Sequence, residues 1–168
     1  MFAHMIAAEV QFYDVIVWLH ISAVVVGFGP TFAFGLYAVF TQKNHPRSVP
    51  AMLAAQNAVV KTMVTGGMFV ILATGIYLAI DRELFDEVFV GVGIAAILVL
   101  FGLAHGYFLP HDRRALELAE RDIAASADGE VKFSDEFEAE TAKSARMGPI
   151  AGLLVILTIY FMTAKPFA

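Results

Sequence analysis

The sequence predicts an all-α fold: an antiparallel four-helix transmembrane bundle with a cytosolic helical hairpin between helices 3 and 4. Two observations predict it. The chain has 168 residues and is 59% hydrophobic, and its apolar residues gather in four runs long enough to cross a hydrocarbon layer about 30 Å thick. Between the third and fourth runs lies one sizeable polar segment, 111–146. Its Asp128–Gly129 step reads as a turn between two charged helical arms, Asp112–Ser126 and Ser134–Ala145. No internal repeat or composition shift divides residues 1–168, so they form a single integral membrane domain.

The first span covers about 13–40 and contains WLHISAVVVGFGPTFAFGLY, too long and too apolar for a surface helix. Ala23, Gly27, Thr31 and Gly35 recur every fourth position and line one side, the pattern that lets helices approach closely in lipid. Pro30, next to Gly29, predicts a kink. The preceding MFAHMIAAEVQFYD lacks a basic n-region and carries Glu9 and Asp14, which makes it a poor signal peptide and leaves the span in place. After the polar loop TQKNHPRSVP, helix resumes near Ala51. Gln56, Asn57 and Lys61 come before the bilayer, and the second span covers about 62–80. DRELFDE is a short acidic turn. The third span, about 88–109, is followed by Pro110. Ser134 is the expected N-cap of the second polar arm. That arm runs through a Gly148–Pro149 bend into the fourth span, about 147–164, which closes on Lys165–Pro166.

Orientation follows from the basic residues. Lys43, Arg47, Lys61, Arg113, Arg114, Arg121, Lys132, Lys143 and Arg146 lie on one side, and only Arg82 and Lys165 on the other. This bias places the polar loops in the cytoplasm and both termini outside a bacterial inner membrane. Tyr13 and Trp18 flank the outer interface as an aromatic anchor. A net charge of −5 leaves no electrostatic footprint for nucleic acid. The absence of cysteine removes disulfides, iron–sulfur clusters, thiolate zinc sites and cysteine nucleophiles together. No Walker loop, dinucleotide fingerprint, HExxH or serine elbow is present. The expected partners are the lipid bilayer and, through glycine-rich faces, a second copy of the chain or a larger membrane complex. In that last role the protein is a non-catalytic accessory or assembly subunit. A carrier for a small solute is a further reading, weakened by how little charge the spans hold.

Ionisable groups inside a bilayer are costly and become functional candidates by default. His20 lies in the outer half of the first span and His105 near the cytoplasmic end of the third. Helical rise separates them by roughly 20 Å along the membrane normal, so they cannot be the two axial ligands of one haem. At the depth of His20 the fourth span brings Tyr160 and Met162, and the second brings Thr74 and Tyr77. Haem b ligated by His20 alone, or by His20 and Met162, is the expected cofactor chemistry. A copper site drawing on His20, Met162, His4 and Met5 is an alternative, and plain hydrogen bonding of His20 to a neighbouring helix is the structural one. His105 and Lys61 form a polar patch suited to an anionic headgroup or a porphyrin propionate.

The first helix opens on Trp18, Leu19 and His20, followed by the small residues Ala23 and Gly27. This layout resembles copper-resistance-D-like proteins and HemJ-type protoporphyrinogen oxidases. Over nearly the whole chain it is more similar to a bacterial family of predicted four-span integral membrane proteins of unknown function. That family shares a leucine–histidine near the N-terminus, a second-span glycine like Gly75 and a last helix closing like Lys165–Pro166. The HemJ resemblance implies that His20 is a haem ligand and that Lys61 is the matching lysine of the second helix. Lys61 lies at the cytoplasmic end and His20 toward the outer half, so the oxidase activity is not carried over.

Overall fold

Four long helices account for nearly all of the structure, a computed structural model that describes residues 11–126 and 129–166. They are α1 (Phe12–Asn44), α2 (Pro46–Asp81), α3 (Val88–Ala125) and α4 (Asp135–Ala164), with 33, 36, 38 and 30 residues. At 1.5 Å per residue the shortest is about 45 Å long, so every helix outruns a hydrocarbon layer of about 30 Å. Each carries an apolar stretch long enough to cross a membrane. Large apolar side chains face outward along all four, Leu36, Trp18, Leu98 and Ile150 among them. Lipid is the solvent that makes such a surface stable.

The prolines do not break these helices. Pro30 sits in a 3-10 turn, Gly29–Ala33, that carries the chain from one α-helical stretch of α1 to the next. The Thr31 hydroxyl donates to the Phe28 carbonyl at 2.6 Å within that turn. Pro46 and Pro50 fall in the opening turns of α2, where no intrahelical donor is required. The helix therefore resumes at Pro46, earlier than the expected Ala51. Pro110 does not end the third helix either. A π-helical stretch, Leu103–Phe108, precedes it, and its wider turns let the chain pass a residue with no N–H and continue to Ala125. Pro149 likewise lies inside α4.

This continuity corrects the expected hairpin. The polar segment 111–146 is not a separate element between the third and fourth helices. It consists of the far end of α3, the near end of α4 and the short connection between them. Ser134 is the N-cap of α4, its hydroxyl accepting the Phe137 N–H at 3.3 Å. The Asp128 half of the expected Asp128–Gly129 turn lies outside the described residues.

The helices run antiparallel in sequence order, as their contacts show. Gly27 meets Gly67 and His20 meets Thr74 across α1 and α2. Thr65 meets His105 across α2 and α3. Asp112 meets Ser144, and Gly93 meets Met162, across α3 and α4. The Phe32 ring of α1 lies over Gly152 of α4. A central apolar cluster includes Phe28, Val64, Met68, Leu100 and Val155. A second, around Val49, Leu53, Ala115, Leu118 and Phe137, fills the polar end. Ala79, Phe89 and Val90 form a third at the opposite end.

The small-residue stripe of α1 divides in two. A Cβ on Gly67 would lie 2.9 Å from the Gly27 Cα and 3.2 Å from the Ala23 carbonyl oxygen, so the two backbones are in contact there. Gly35, further along the stripe, has open space where its side chain would be. The Ala23–Gly27 half thus packs helix on helix, and the Gly35 end does not.

Candidate functional site

His20 is held by α2. Its Nδ1 lies 2.8 Å from the Thr74 hydroxyl oxygen, and its ring passes over Gly75, where a Cβ would stand 3.2 Å from Cε1. Thr74 bears on the tautomer. Its hydroxyl hydrogen is drawn to the Val70 carbonyl at 2.6 Å, a bond typical of threonine in a helix. With its hydrogen placed there, the oxygen is an acceptor for Nδ1 of His20, and Nε2 would keep the lone pair.

His105 repeats the arrangement in mirror image. Thr65 donates to the Val60 carbonyl at 2.8 Å, across the π-helical turn of α2. Its oxygen lies 3.1 Å from His105 Nε2. The imidazole also lies against Phe101, ring centres 4.4 Å apart and planes tilted by 35°. Thr65 and Thr74 are nine residues apart on one helix, so the two imidazoles are separated by about 14 Å along it. That is less than the roughly 20 Å expected from the sequence, and still far too much for opposite faces of one iron.

The other candidates separate. The Met162 methyl occupies the space that a Cβ on Gly93 would take, so its side chain is seated on α3. Tyr160 is exposed, its ring against Phe161. No contact brings either residue to His20 among the described residues. His4 and Met5, named for copper, lie outside the described residues. Among the described residues no group of three or more His, Cys, Asp or Glu is placed to hold a metal ion.

Lys61 and His105 do come together. They line one cleft of about 470 Å³ with Leu109, Pro110, Arg113 and Arg114. A second, apolar cleft of about 270 Å³ runs between α1 and α2, past Leu19, Ala23, Gly27 and Gly67. His20 is not part of either lining.

Sequence reasoning counted Arg113 and Arg114 for orientation and missed them as neighbours of His105. The signal was present in their spacing. Positions 105, 109 and 113 share one helical face, provided the helix continues through Pro110. Thr65, which orders His105, was also missed, and so was the burial of Asn57. Its side-chain amide has no partner among the described residues.

A family model described as predicted integral membrane protein (DUF2269) matches residues 14–166. No curated protein and no solved structure matches the chain. None of these comparisons ties it to copper-resistance-D-like or HemJ-type proteins, so those two resemblances are set aside.

Proposed function

We propose that this chain, which belongs to the DUF2269 family of predicted integral membrane proteins, is a small redox-associated protein of the bacterial cell membrane that holds haem b through His20. The supporting observation is the Thr74 hydroxyl. By giving its own hydrogen to Val70 and accepting from Nδ1, it leaves Nε2 of His20 as the nitrogen with a lone pair. A histidine that ligates a metal is commonly ordered in this way, its other ring N–H held by a fixed acceptor.

The donor set fits one axial ligand. Met162 is engaged with Gly93 and Tyr160 faces outward, so His20 is the residue that would hold haem. When bound, haem b supplies a one-electron couple inside the membrane. His20 would hold it, Thr74 would fix the ring that holds it, and Gly75 leaves room for that ring. In the orientation that goes with this reading, the end bearing Lys43, Arg47, Lys61, Arg113, Arg114, Arg121, Lys132, Lys143 and Arg146 faces the cytoplasm. Both termini then lie outside, and His20 sits in the outer half.

The test is an absorption spectrum of protein purified from cells supplied with a haem precursor. A Soret band is expected, absent in His20→Ala, with haem affinity reduced about 10- to 100-fold in Thr74→Val. A preparation without the band, or an unchanged band in His20→Ala, overturns the reading.

A further inference from the structure

The cleft at the polar end of α2 and α3 has no part in that reading, and its chemistry is of another kind. Lys61 reaches it from α2, and Arg113 and Arg114 reach it from α3. Glu117 is the one carboxylate in the lining, and Arg114 engages it at 3.3 Å. Lys61 and Arg113 have no hydrogen-bond or ion-pair partner among the described residues. Two uncommitted cations from different helices thus face one opening, over a floor of Leu109 and Pro110. Its volume of about 470 Å³ is within the range that small-ligand sites occupy.

What lies beneath selects the ligand. One turn along α3 from Leu109 toward the middle of the bundle is His105, and one turn further is Phe101, its ring tilted against the imidazole. Phe101 meets Phe69 of α2 edge to face, ring centres 5.8 Å apart. Phe69 and the neighbouring Leu98 are both exposed. The seam between α2 and α3 therefore changes within about two turns from cationic to aromatic and aliphatic. An inorganic anion would use only the upper half of such a seam. An amphiphile would use both.

We infer that this cleft binds the anionic phosphate headgroup of a membrane lipid, with the acyl chains lying along the Phe69–Phe101 seam. Arg113 supplies a planar fork that matches phosphate oxygens, and Lys61 a compact charge on the opposite wall. The inference does not depend on whether His20 holds haem.

The full chain is purified in detergent, stripped of lipid and titrated with phosphatidylglycerol or phosphatidylcholine of the same acyl chains, with native mass spectrometry counting bound lipid. Phosphatidylglycerol is expected to bind at least about tenfold more tightly. That preference should be abolished in Lys61→Ala/Arg113→Ala, at about fivefold for each charge removed. Lys43→Ala/Lys132→Ala, which removes the same charge outside the cleft, should leave it intact. If the double cleft variant fails to fold, Lys61→Gln alone should show the fivefold loss. Equal binding of the two lipids, or equal losses in the cleft and control variants, overturns the assignment. So does displacement of phosphatidylglycerol by millimolar inorganic phosphate, which would make this a site for the free ion.

Discussion

Where α1 meets α2, two backbones touch at Gly27 and Gly67, and the side-chain bonds that cross are few, His20 with Thr74 and Gln56 to the Phe34 carbonyl. Where α3 meets α4 at the polar end, charged and hydroxyl groups cross instead. Asp122 accepts both the backbone N–H and the hydroxyl of Ser134, at 2.8 and 2.7 Å. Arg121 donates to Glu136 at 2.7 Å, His111 Nδ1 lies 2.7 Å from Glu140, and Ser144 donates to Asp112 at 2.6 Å. The difference teaches what each solvent leaves for a helix pair to use. In lipid, burying apolar surface gains little, so close packing and an occasional hydrogen bond hold helices together. Beyond the membrane, water again drives apolar burial around Phe137, and charged pairs fix its register.

The largest effect is expected from crowding the first interface. In Gly67→Leu the new side chain would begin 2.9 Å from the Gly27 backbone. Backbone cannot swing aside as a side-chain tip can, so the loss should be at least about 3 kcal/mol. Thermal unfolding in detergent measures it. Gly66→Leu is the internal control, since nothing lies within 4 Å of its Cβ position. It should unfold near the unaltered protein. Equal losses in the two variants would mean that α1 and α2 do not touch at this point.

Acid should loosen the polar end. Burial would raise the Asp122 carboxyl, but the Ser134 N–H and hydroxyl, together with Arg121, outweigh it and hold its pKa below the ordinary value. Lys143 does the same for Glu140, helped by His111. A carboxylate depressed in the folded state stabilises it fully above the unfolded pKa, and that contribution is lost as pH falls through the folded value. The loss therefore falls below about pH 4. Asp112 has the opposite sign. Burial raises its pKa despite the Ser144 hydroxyl and His111, so its charge opposes folding at neutral pH, and this is relieved as pH falls through the raised value. Asp122→Ala should then cost about 2 kcal/mol at neutral pH by leaving the Ser134 N–H unpaired, and flatten the acid limb of a stability curve. Asp112→Asn, which keeps an acceptor for Ser144, should be neutral or stabilising. Matching losses in Asp112→Asn and Asp122→Ala would refute this division of roles.

The four apolar runs, their antiparallel order and the membrane they imply were legible because lipid forces a length and a composition on each span. The depth match of Thr74 to His20 was legible for the same reason, since helical rise converts residue counts into height. Helix ends were not. A proline reads as a stop from local rules, and Pro110 is passed because a π-helical stretch precedes it, which no single residue announces. That reading separated the first polar arm from the third helix, and hid Arg113 as a continuation of the face that bears His105. Met162 shows the same limit. Its height can be estimated from the sequence, but its azimuth depends on the seat that Gly93 offers. Depth is one-dimensional and readable, whereas facing requires the partner.

The smallest expected effect tests the one bond that joins the two interfaces in kind. Thr74→Val keeps the shape of the side chain and removes the acceptor for His20 Nδ1. Within membranes such bonds are worth about 0.6 kcal/mol on average and about 1.7 at most. A double-mutant cycle of His20→Leu with Thr74→Val should therefore give a coupling near 1 kcal/mol, read from unfolding in detergent without haem. The Thr65–His105 pair is longer, at 3.1 Å against 2.8 Å, and should couple less. A zero for both pairs would mean that Gly75 and Phe101 hold the two rings by contact alone, and that the threonines do not choose which nitrogen keeps its lone pair. A clear coupling for Thr74 and none for Thr65 would instead make His20 the one whose orientation is built in.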